Sequence, residues 1–453
     1  MEVDFAPRRL LAGVFDQALE AVRGRPVVRR ALTAQGIEGT VTLIAVGKAA
    51  QSMTEGAWDA LGEQIRGGLV ISKPGHLVPE QLARFGLEGV VGGHPVPTDG
   101  SLEAGRRLQQ VLDGRGEETL LFLISGGASS LVEVPTAGLG LAELARINAW
   151  LLGSGLPIEA MNLIRKSVSR IKGGGLLTRL GGHNLRVLAI SDVPGDDPGV
   201  IGSGLLVPES RLAARLAALE LPDWLRTWTE RAVAERAGIP EPGPEIELVA
   251  TLDIARDAAA VAARDAGLEV HPHRELLEGD AAERGRALAR RLLEGPTGLH
   301  IWGGETTVRL PEHAGRGGRN QQLALSAATV LTGRDDCFLL SGGTDGTDGP
   351  TDAAGGLVDG GTLYRARQAG FDADATLAAA DAGTLLAAVG DLIHTGPTGT
   401  NVMDLVMGLS GGLKTGFHLD TLKNSRCLCR TRKPRYVRVR NSMIIKAFEK
   451  RDL

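Results

Sequence analysis

Six short, nearly uninterrupted apolar runs, each closing on a polar loop rich in glycine, leave this chain few ways to fold. Val41 to Val46 ends at Gly47-Lys48, and Leu69 to Ile71 ends at Ser72-Lys73-Pro74-Gly75-His76. Leu120 to Ile124 ends at Ser125-Gly126-Gly127-Ala128-Ser129-Ser130, and Leu185 to Ile190 at Ser191-Asp192-Val193-Pro194-Gly195. Further on, Leu299 to Trp302 ends at Gly303-Gly304-Glu305, and Phe338 to Leu340 at Ser341-Gly342-Gly343-Thr344-Asp345. Runs this short and this apolar read as strands covered on both faces. A glycine loop and a helical segment after each of the first four predicts βαβ units and a mainly parallel sheet, hence an α/β protein. Glycine, at 63 of 453 residues, is about twice its usual ~7% share, and it concentrates where backbone must approach a ligand.

The length predicts two domains or three. An amphipathic helix opens the chain, with Leu11, Val14, Phe15, Ala18, Leu19 and Val22 on one face, Asp4 able to cap it and Pro7 near its first turn. Pro240-Glu241-Pro242-Gly243-Pro244 reads as a linker, so the expected division is 1–235 and 245–409. Residues 410–453 differ from the rest: 12 Lys+Arg against 3 Asp+Glu give a net charge of +9 in a chain of net charge −4. This basic tail is expected to be non-native or disordered and takes no part in the fold. The overall charge argues against a nucleic-acid footprint across the whole surface. Three cysteines form no disulfide framework and fit a reducing cytoplasm; the acidic start is no secretory signal, and no run of 18 apolar residues could span a membrane.

Chemistry collects at the carboxyl ends of the apolar runs, where open α/β sheets bind ligands. Lys48 follows a strand directly and precedes a helix, a place where a cation is disfavoured unless an anion comes to meet it. Ser125 to Ser130 has the form of a phosphate cradle, offering Ser125, Gly126, Gly127 and Ser129, although a tight turn explains it equally well. Arg165 and Lys172 set cations beside Gly173-Gly174-Gly175, or lie on one exposed helix face. Asp192 and Glu305 are carboxylates at strand ends, suited to Mg²⁺ or to accepting a hydroxyl proton. Gly317, Gly318, Arg319 and Asn320 place a guanidinium among glycines, and Asp345 lies in a Gly/Thr loop. His94 and His394 read as structural hydrogen-bonding groups. Neither a G-x-x-x-x-G-K-[ST] loop nor a G-x-G-x-x-G after a strand is present, so a nucleotide would need another set of loops.

Taken in order, these segments resemble one family. The series runs Gly47-Lys48-Ala49-Ala50, Gly93-His94-Pro95-Val96-Pro97, Ser125-Gly126-Gly127, Asn162 to Gly174 and Ser191 to Asp196. It continues through Gly304 to Val308, Gly315 to Gln321, Gly343 to Gly355 and Thr395 to Asn401. Over residues 5–409 the chain resembles the glycerate 2-kinase family, whose C-terminal half is the MOFRL domain. The resemblance implies an N-terminal Rossmann-like parallel-sheet domain, a second α/β domain and an active site in the interdomain cleft. It implies transfer of the ATP γ-phosphate to the 2-hydroxyl of D-glycerate, with a divalent metal, here Mg²⁺. Lys48 and Arg319 would be the key cations, with Asp192 as the third catalytic group. Arg165 or Arg319 would anchor the glycerate carboxylate, and Asp192 or Glu305 would carry the metal. The nucleotide- and substrate-binding set would take in Thr398 and Asn401. The expected partners are small molecules, with neither membrane nor nucleic acid among them, and self-association stays open. Gln322 and Leu205 depart from the family's usual Glu and Pro.

Two other readings compete. An NAD(P)H-dependent hydroxypyruvate reductase requires the dinucleotide fingerprint that the chain lacks. A non-catalytic sugar-phosphate sensor would use the basic tail as a nucleic-acid arm.

Overall fold

The computed structural model describes residues 5–411 except 115–117, 182 and 237. The Asp4 cap and the basic tail from residue 412 onward lie outside the described residues. The chain forms two sheets, each sandwiched between helices. The first has six parallel strands: β1 (Val41–Val46), β2 (Ile65–Ser72), β3 (Glu88–Val91), β4 (Thr119–Ile124), β5 (Leu185–Ile190) and β6 (Glu247–Ala250), in the order β3-β2-β1-β4-β5-β6. The strand alternation explains why the apolar runs are unbroken. Leu43, Ala45, Leu121 and Leu123 enter one apolar cluster, while Ile44, Val46, Leu120 and Phe122 enter another on the opposite face. The chain leaves β1 toward β3 on one side and leaves β4 toward β6 on the other. The loops after β1 and β4 therefore diverge, opening a crevice at the carboxyl edge of the sheet.

The second sheet is mixed: β7 (Val270–Leu277), β8 (Gly298–Gly304), β9 (Phe338–Gly343), β10 (Gly355–Asp359), β11 (Leu392–Ile393) and β12 (Asp404–Ser410), ordered β11-β10-β9-β12-β8-β7. Only β7 and β8 pair in parallel. The sheet is mixed because β12, the last described strand, returns between β8 and β9 and pairs antiparallel with both.

Packing redraws the division expected at 1–235 and 245–409. Strand β6 completes the first sheet, so the proline-rich stretch before it is a loop within the first unit. The opening helix, Phe5–Val22, is amphipathic as its spacing predicts. Its buried Leu10, Leu11, Val14, Phe15 and Leu19 nevertheless join the core of the second sheet, with Leu299, Leu340 and Leu405. Sequence order hides this, because the apolar stripe does not say which sheet it covers. Arg8 fixes the choice: its guanidinium is buried against Asp359, donates to Asp391 Oδ1 at 2.8 Å and to the Leu357 carbonyl at 2.7 Å. Arg365 shares both carboxylates. No helix among the described residues is long and apolar enough to cross a membrane.

Arg8→Ala leaves Asp391, which is 1% exposed, with Arg365 as its remaining cationic partner. Removing one member of a buried ion cluster costs about 3 kcal/mol. A lowered denaturation midpoint by circular dichroism checks it; an unchanged midpoint would show that the helix is held by its apolar face alone.

Candidate functional site

The crevice between β1 and β4 is built by two loops spliced together. Gly47 has φ of +134°, and a Cβ there would fall 2.1 Å from Ser125 Oγ and 2.5 Å from the Ser125 carbonyl oxygen. Only glycine lets the two loops approach so closely. The splice is then sealed by Lys48 N–H donating to the Gly126 carbonyl at 2.8 Å and Ala49 N–H to Ser125 Oγ at 3.1 Å. The loop after β2 is clasped on the other side, with Ser72 Oγ donating to the Gly47 carbonyl at 2.8 Å and His76 Nδ1 3.1 Å from the Lys48 carbonyl. His94 sits over Gly127. Surrounding protein pushes its imidazole down to about 4, with Lys48 and Lys73 adding to the shift, so it is neutral at pH 7.

The second unit answers with an arginine and several carboxylates. Asp404 opens β12 between the carboxyl ends of β8 and β9, paired with Gly304 and Gly343. Arg319 opens the helix Arg319–Leu331 and grips Asp404 with two nitrogens, Nη2 at 3.0 Å, while Nη1 reaches Glu305. Asp348 holds the start of this helix, accepting the N–H groups of Asn320 at 3.1 Å and Gln321 at 2.8 Å, as an N-cap supplied from a distant loop.

Both units meet over the crevice. Lys48 Nζ donates to Asp345 Oδ2 at 2.8 Å, and Asn401 Nδ2 donates to Asp192 Oδ2 at 2.9 Å. Burial pushes the Asp192 carboxyl up to about 6; Lys48 pulls against it and Glu305 adds to it. Burial also raises Glu305, which Arg319 partly offsets. For Asp345 burial works upward too, but the Lys48 ammonium overrides it and the carboxyl lies below its ordinary value. Lys48, Asp192, Glu305, Arg319 and Asp345 thus form one electrostatic group at the junction of the two sheets. A cavity of ≈ 1100 Å³ opens beside it, lined by Lys48, Gln51, Ser52 and His76 from the first unit and Thr398 and Gly399 from the second.

The other residues singled out from the sequence are engaged in other contacts. Ser125 is fully buried and receives the Ala49 N–H. Thr398 spends its hydroxyl on the Thr344 carbonyl at 2.6 Å, and Asn320 accepts from Ser341 Oγ at 2.6 Å. A Cβ on Gly318 would strike the Asp348 carboxylate, and one on Gly317 would fall 3.0 Å from the Gly383 nitrogen, so these glycines shape the approach to Arg319. Lys172 is buried against Glu133, and with Arg165 and Ser129 it lines a separate pocket. Asp404 and Lys73 were not picked out from the sequence. Asp404 heads an apolar run and looks like a strand boundary, whereas Lys73 directly follows a strand, two residues before Gly75, and could have been found by the rule that found Lys48. Among the described residues no three His, Cys, Asp or Glu side chains gather as a ready metal cage.

A parallel switch-point sheet and a mixed sheet, facing each other across cations and carboxylates, define a two-unit α/β enzyme built for a charged small substrate. Comparison with known proteins narrows this. Residues 10–235 match the family model described as Domain of unknown function (DUF4147), and residues 298–404 match the MOFRL family. The D-glycerate 2-kinase of Thermotoga maritima is 37% identical over 414 residues, 89% of this chain and 98% of that protein. A protein of Agrobacterium vitis with a provisional name, hydroxypyruvate reductase, is 38% identical over 419 residues, 89% of this chain and 94% of its own. The crystal structure of the Thermotoga maritima glycerate kinase superimposes with a TM-score of 0.79 at 36% identity, covering 90% of this chain and all of that one. The chain belongs to the glycerate kinase family, and it is a kinase.

A Cβ at Gly126 would fall 1.9 Å from Asp192 Oδ2 and 2.5 Å from Asn401 Nδ2. Gly126→Ala is therefore expected to displace the carboxylate and lower kinase turnover at least ~10-fold, the effect of a misplaced reacting group, with the circular dichroism spectrum unchanged. Wild-type turnover in this variant would remove Asp192 from the site.

Proposed function

We propose that this enzyme transfers the γ-phosphoryl group of ATP to the 2-hydroxyl of D-glycerate, releasing ADP and 2-phosphoglycerate. The observation that carries the reading is the meeting of Lys48 and Arg319, from opposite units, in one carboxylate-rich crevice. Phosphoryl transfer asks little covalent work of a protein and much positioning of charge. Lys48 can leave Asp345 for the phosphate oxygens, and Arg319, braced by Asp404 and Glu305, presents a fixed positive charge. The glycerate 2-oxygen forms a bond to the γ-phosphorus as the bond to the ADP oxygen breaks. Its proton passes to Asp192, whose raised pKa suits that task. Gly126 and Gly127, just past the end of β4, with Asn401, border the space where the phosphates would lie.

The crevice also fits a divalent cation. Asp192, Glu305, Asp345 and Asp404 outnumber Lys48, Lys73 and Arg319, and two of these carboxyls are pushed up by burial. Mg²⁺ usually takes only one or two protein carboxylates and completes its shell with phosphate oxygens and water. With Asp192 taking the proton, Glu305 is the carboxylate that would hold it, and when bound it would neutralise charge on the phosphates. The substrates are then small molecules, and the cytoplasm, where ATP is plentiful, is the natural setting.

Phosphorus NMR of a reaction with D-glycerate and MgATP should show 2-phosphoglycerate. NADH consumption with hydroxypyruvate and no phosphorylated product would replace this reading with the reductase. Lys48→Ala and Arg319→Ala should each lower kcat by about 10²–10³, as loss of a transition-state contact does; near-normal kcat in both would sink the assignment.

The pH profile separates the roles of Asp192. As proton acceptor it must be ionised, so kcat should fall as pH drops through about 6. Glu305→Gln removes a negative neighbour and should move that limb to lower pH. A limb that slides downward as Mg²⁺ rises would put the carboxylate on the metal instead of the proton.

A further inference from the structure

Lys48 and Lys73 stand at equal steps past the ends of neighbouring strands. Val46 of β1 pairs with Ile71 of β2, and each lysine lies two residues beyond its member of that pair. Parallel neighbours run about 4.8 Å apart. The two loops stay together beyond the pair. Gly47 N–H donates to the Ile71 carbonyl at 3.1 Å, and His76 N–H donates to the Lys73 carbonyl at 3.2 Å. The His76 ring meets the Lys48 carbonyl, so this one residue ties the loop of the second lysine to the backbone of the first.

The two ammoniums share one carboxylate unequally. Lys48 Nζ donates to Asp345 Oδ2 at 2.8 Å, whereas Lys73, half-buried, has no ion pair of its own among the described residues. Burial lowers the Lys73 pKa; the Asp345 charge pulls it back up and the Lys48 charge pushes it further down. Lys73 thus feels both members of the pair without belonging to it. No other cation near Asp345 is free to replace Lys48. His76 and His94 feel its charge too, but burial and the two lysines lower both imidazoles, which are neutral at pH 7. Arg319 is held by Asp404 and Glu305. Thr347 donates to Asp345 Oδ1 from its N–H and its hydroxyl, without charge. The ≈ 1100 Å³ cavity separates the two lysines: Lys48 lines it with Gly75 and His76, and Lys73 does not. A phosphate entering there meets Lys48.

We infer that Lys73 is a positioning residue: when a nucleotide draws Lys48 onto its phosphates, Lys73 takes the place of Lys48 on Asp345. The inference rests on the kinase reading above and adds to it the group that makes the exchange of partners possible. Breaking a buried ion pair leaves an uncompensated charge behind. A second lysine on a flexible four-carbon stem keeps Asp345 matched throughout. The same step carries Lys73 away from the repulsion of a neighbouring ammonium.

The test is a double-mutant cycle on the full chain, read by calorimetric binding of the non-hydrolysable β,γ-imido analogue of ATP with Mg²⁺. Lys73→Met should weaken binding about 10-fold, within the range for coupled neighbours, and Lys73→Arg should keep most of the affinity. In the Asp345→Asn background the same change should cost less than about twofold, because no carboxylate is left to be matched. In turnover, Lys73→Met should raise KM for ATP and leave KM for D-glycerate within about twofold. An equal loss in both backgrounds would mean that Lys73 touches the phosphates or holds the fold, and it overturns the inference. Wild-type affinity in Lys73→Met overturns it too. Asp345→Ser carries the same cycle where Asp345→Asn does not fold. Wild type that binds the analogue and makes product keeps the kinase reading whichever way the cycle falls; wild type without ATP-dependent product overturns that reading as well.

Discussion

The contact between the Lys48 ammonium and the Asp345 carboxylate is the one on which the crevice depends. Each sheet has its own apolar cores, and no single hydrophobic cluster fuses all of the strands. Across the junction, polar groups at the loop tips face one another, beside apolar contact such as that of Val402 with the core of the first sheet. Lys48 can reach Asp345 only because Gly47 lets its loop lie against Ser125 and because His76 and Ser72 clasp it from the β2 side. Asp345 is held in turn by Thr347, whose N–H donates at 3.0 Å and whose hydroxyl lies at 3.1 Å. An ion pair at 2.8 Å with both side chains mostly buried is strong in Coulomb terms but has to offset the dehydration of both partners. Its net value as glue is therefore modest.

How far the sequence speaks for itself follows from what each residue depends on. Strands β1, β4 and β5 are legible because two-sided burial leaves no polar residue inside the run, and the loops after them are legible because glycine and charge stand out there. The mixed character of the second sheet is not legible. Strand β7 is broken up by histidine, proline and arginine and β10 opens on two glycines, and pairing direction is set by the return of β12, a contact distant in sequence. The opening helix shows its apolar stripe but not its partner, since the deciding group is Arg8, more than 340 residues from its acceptors. In the crevice, Lys48 and Arg319 stand out as cations beside glycine. Asp404 does not, because its role exists only once β8 and β9 bring their ends to either side of it. Lys172 shows the reverse error of sequence reading: a cation beside glycines that the fold spends on Glu133 in its own unit.

The charge pattern of the crevice implies that ligand binding is an exchange of partners. Lys48 and Arg319 are already matched to carboxylates, so a triphosphate cannot simply be added to them. For Lys48 to reach a phosphate, Asp345 must give it up, and a carboxylate already pushed upward by burial then loses the ammonium that holds it down. That carboxylate must either take a proton or meet another cation. The same holds for Asp192 and Glu305, whose burial already disfavours their charge. On the proposed reading, a nucleotide arriving with a divalent ion would resolve both imbalances together, because the phosphates would satisfy the lysine while the ion would satisfy the acids. Arg319 is under a different constraint: three of its nitrogens are engaged by two carboxylates from the second unit, and it behaves as a rigid fixture that the phosphate approaches. Movement at catalysis is therefore concentrated on the Lys48 side. Because the Lys48–Asp345 bond also joins the two units, a phosphate that took Lys48 from Asp345, as the proposed reaction asks, would loosen one of the contacts between them.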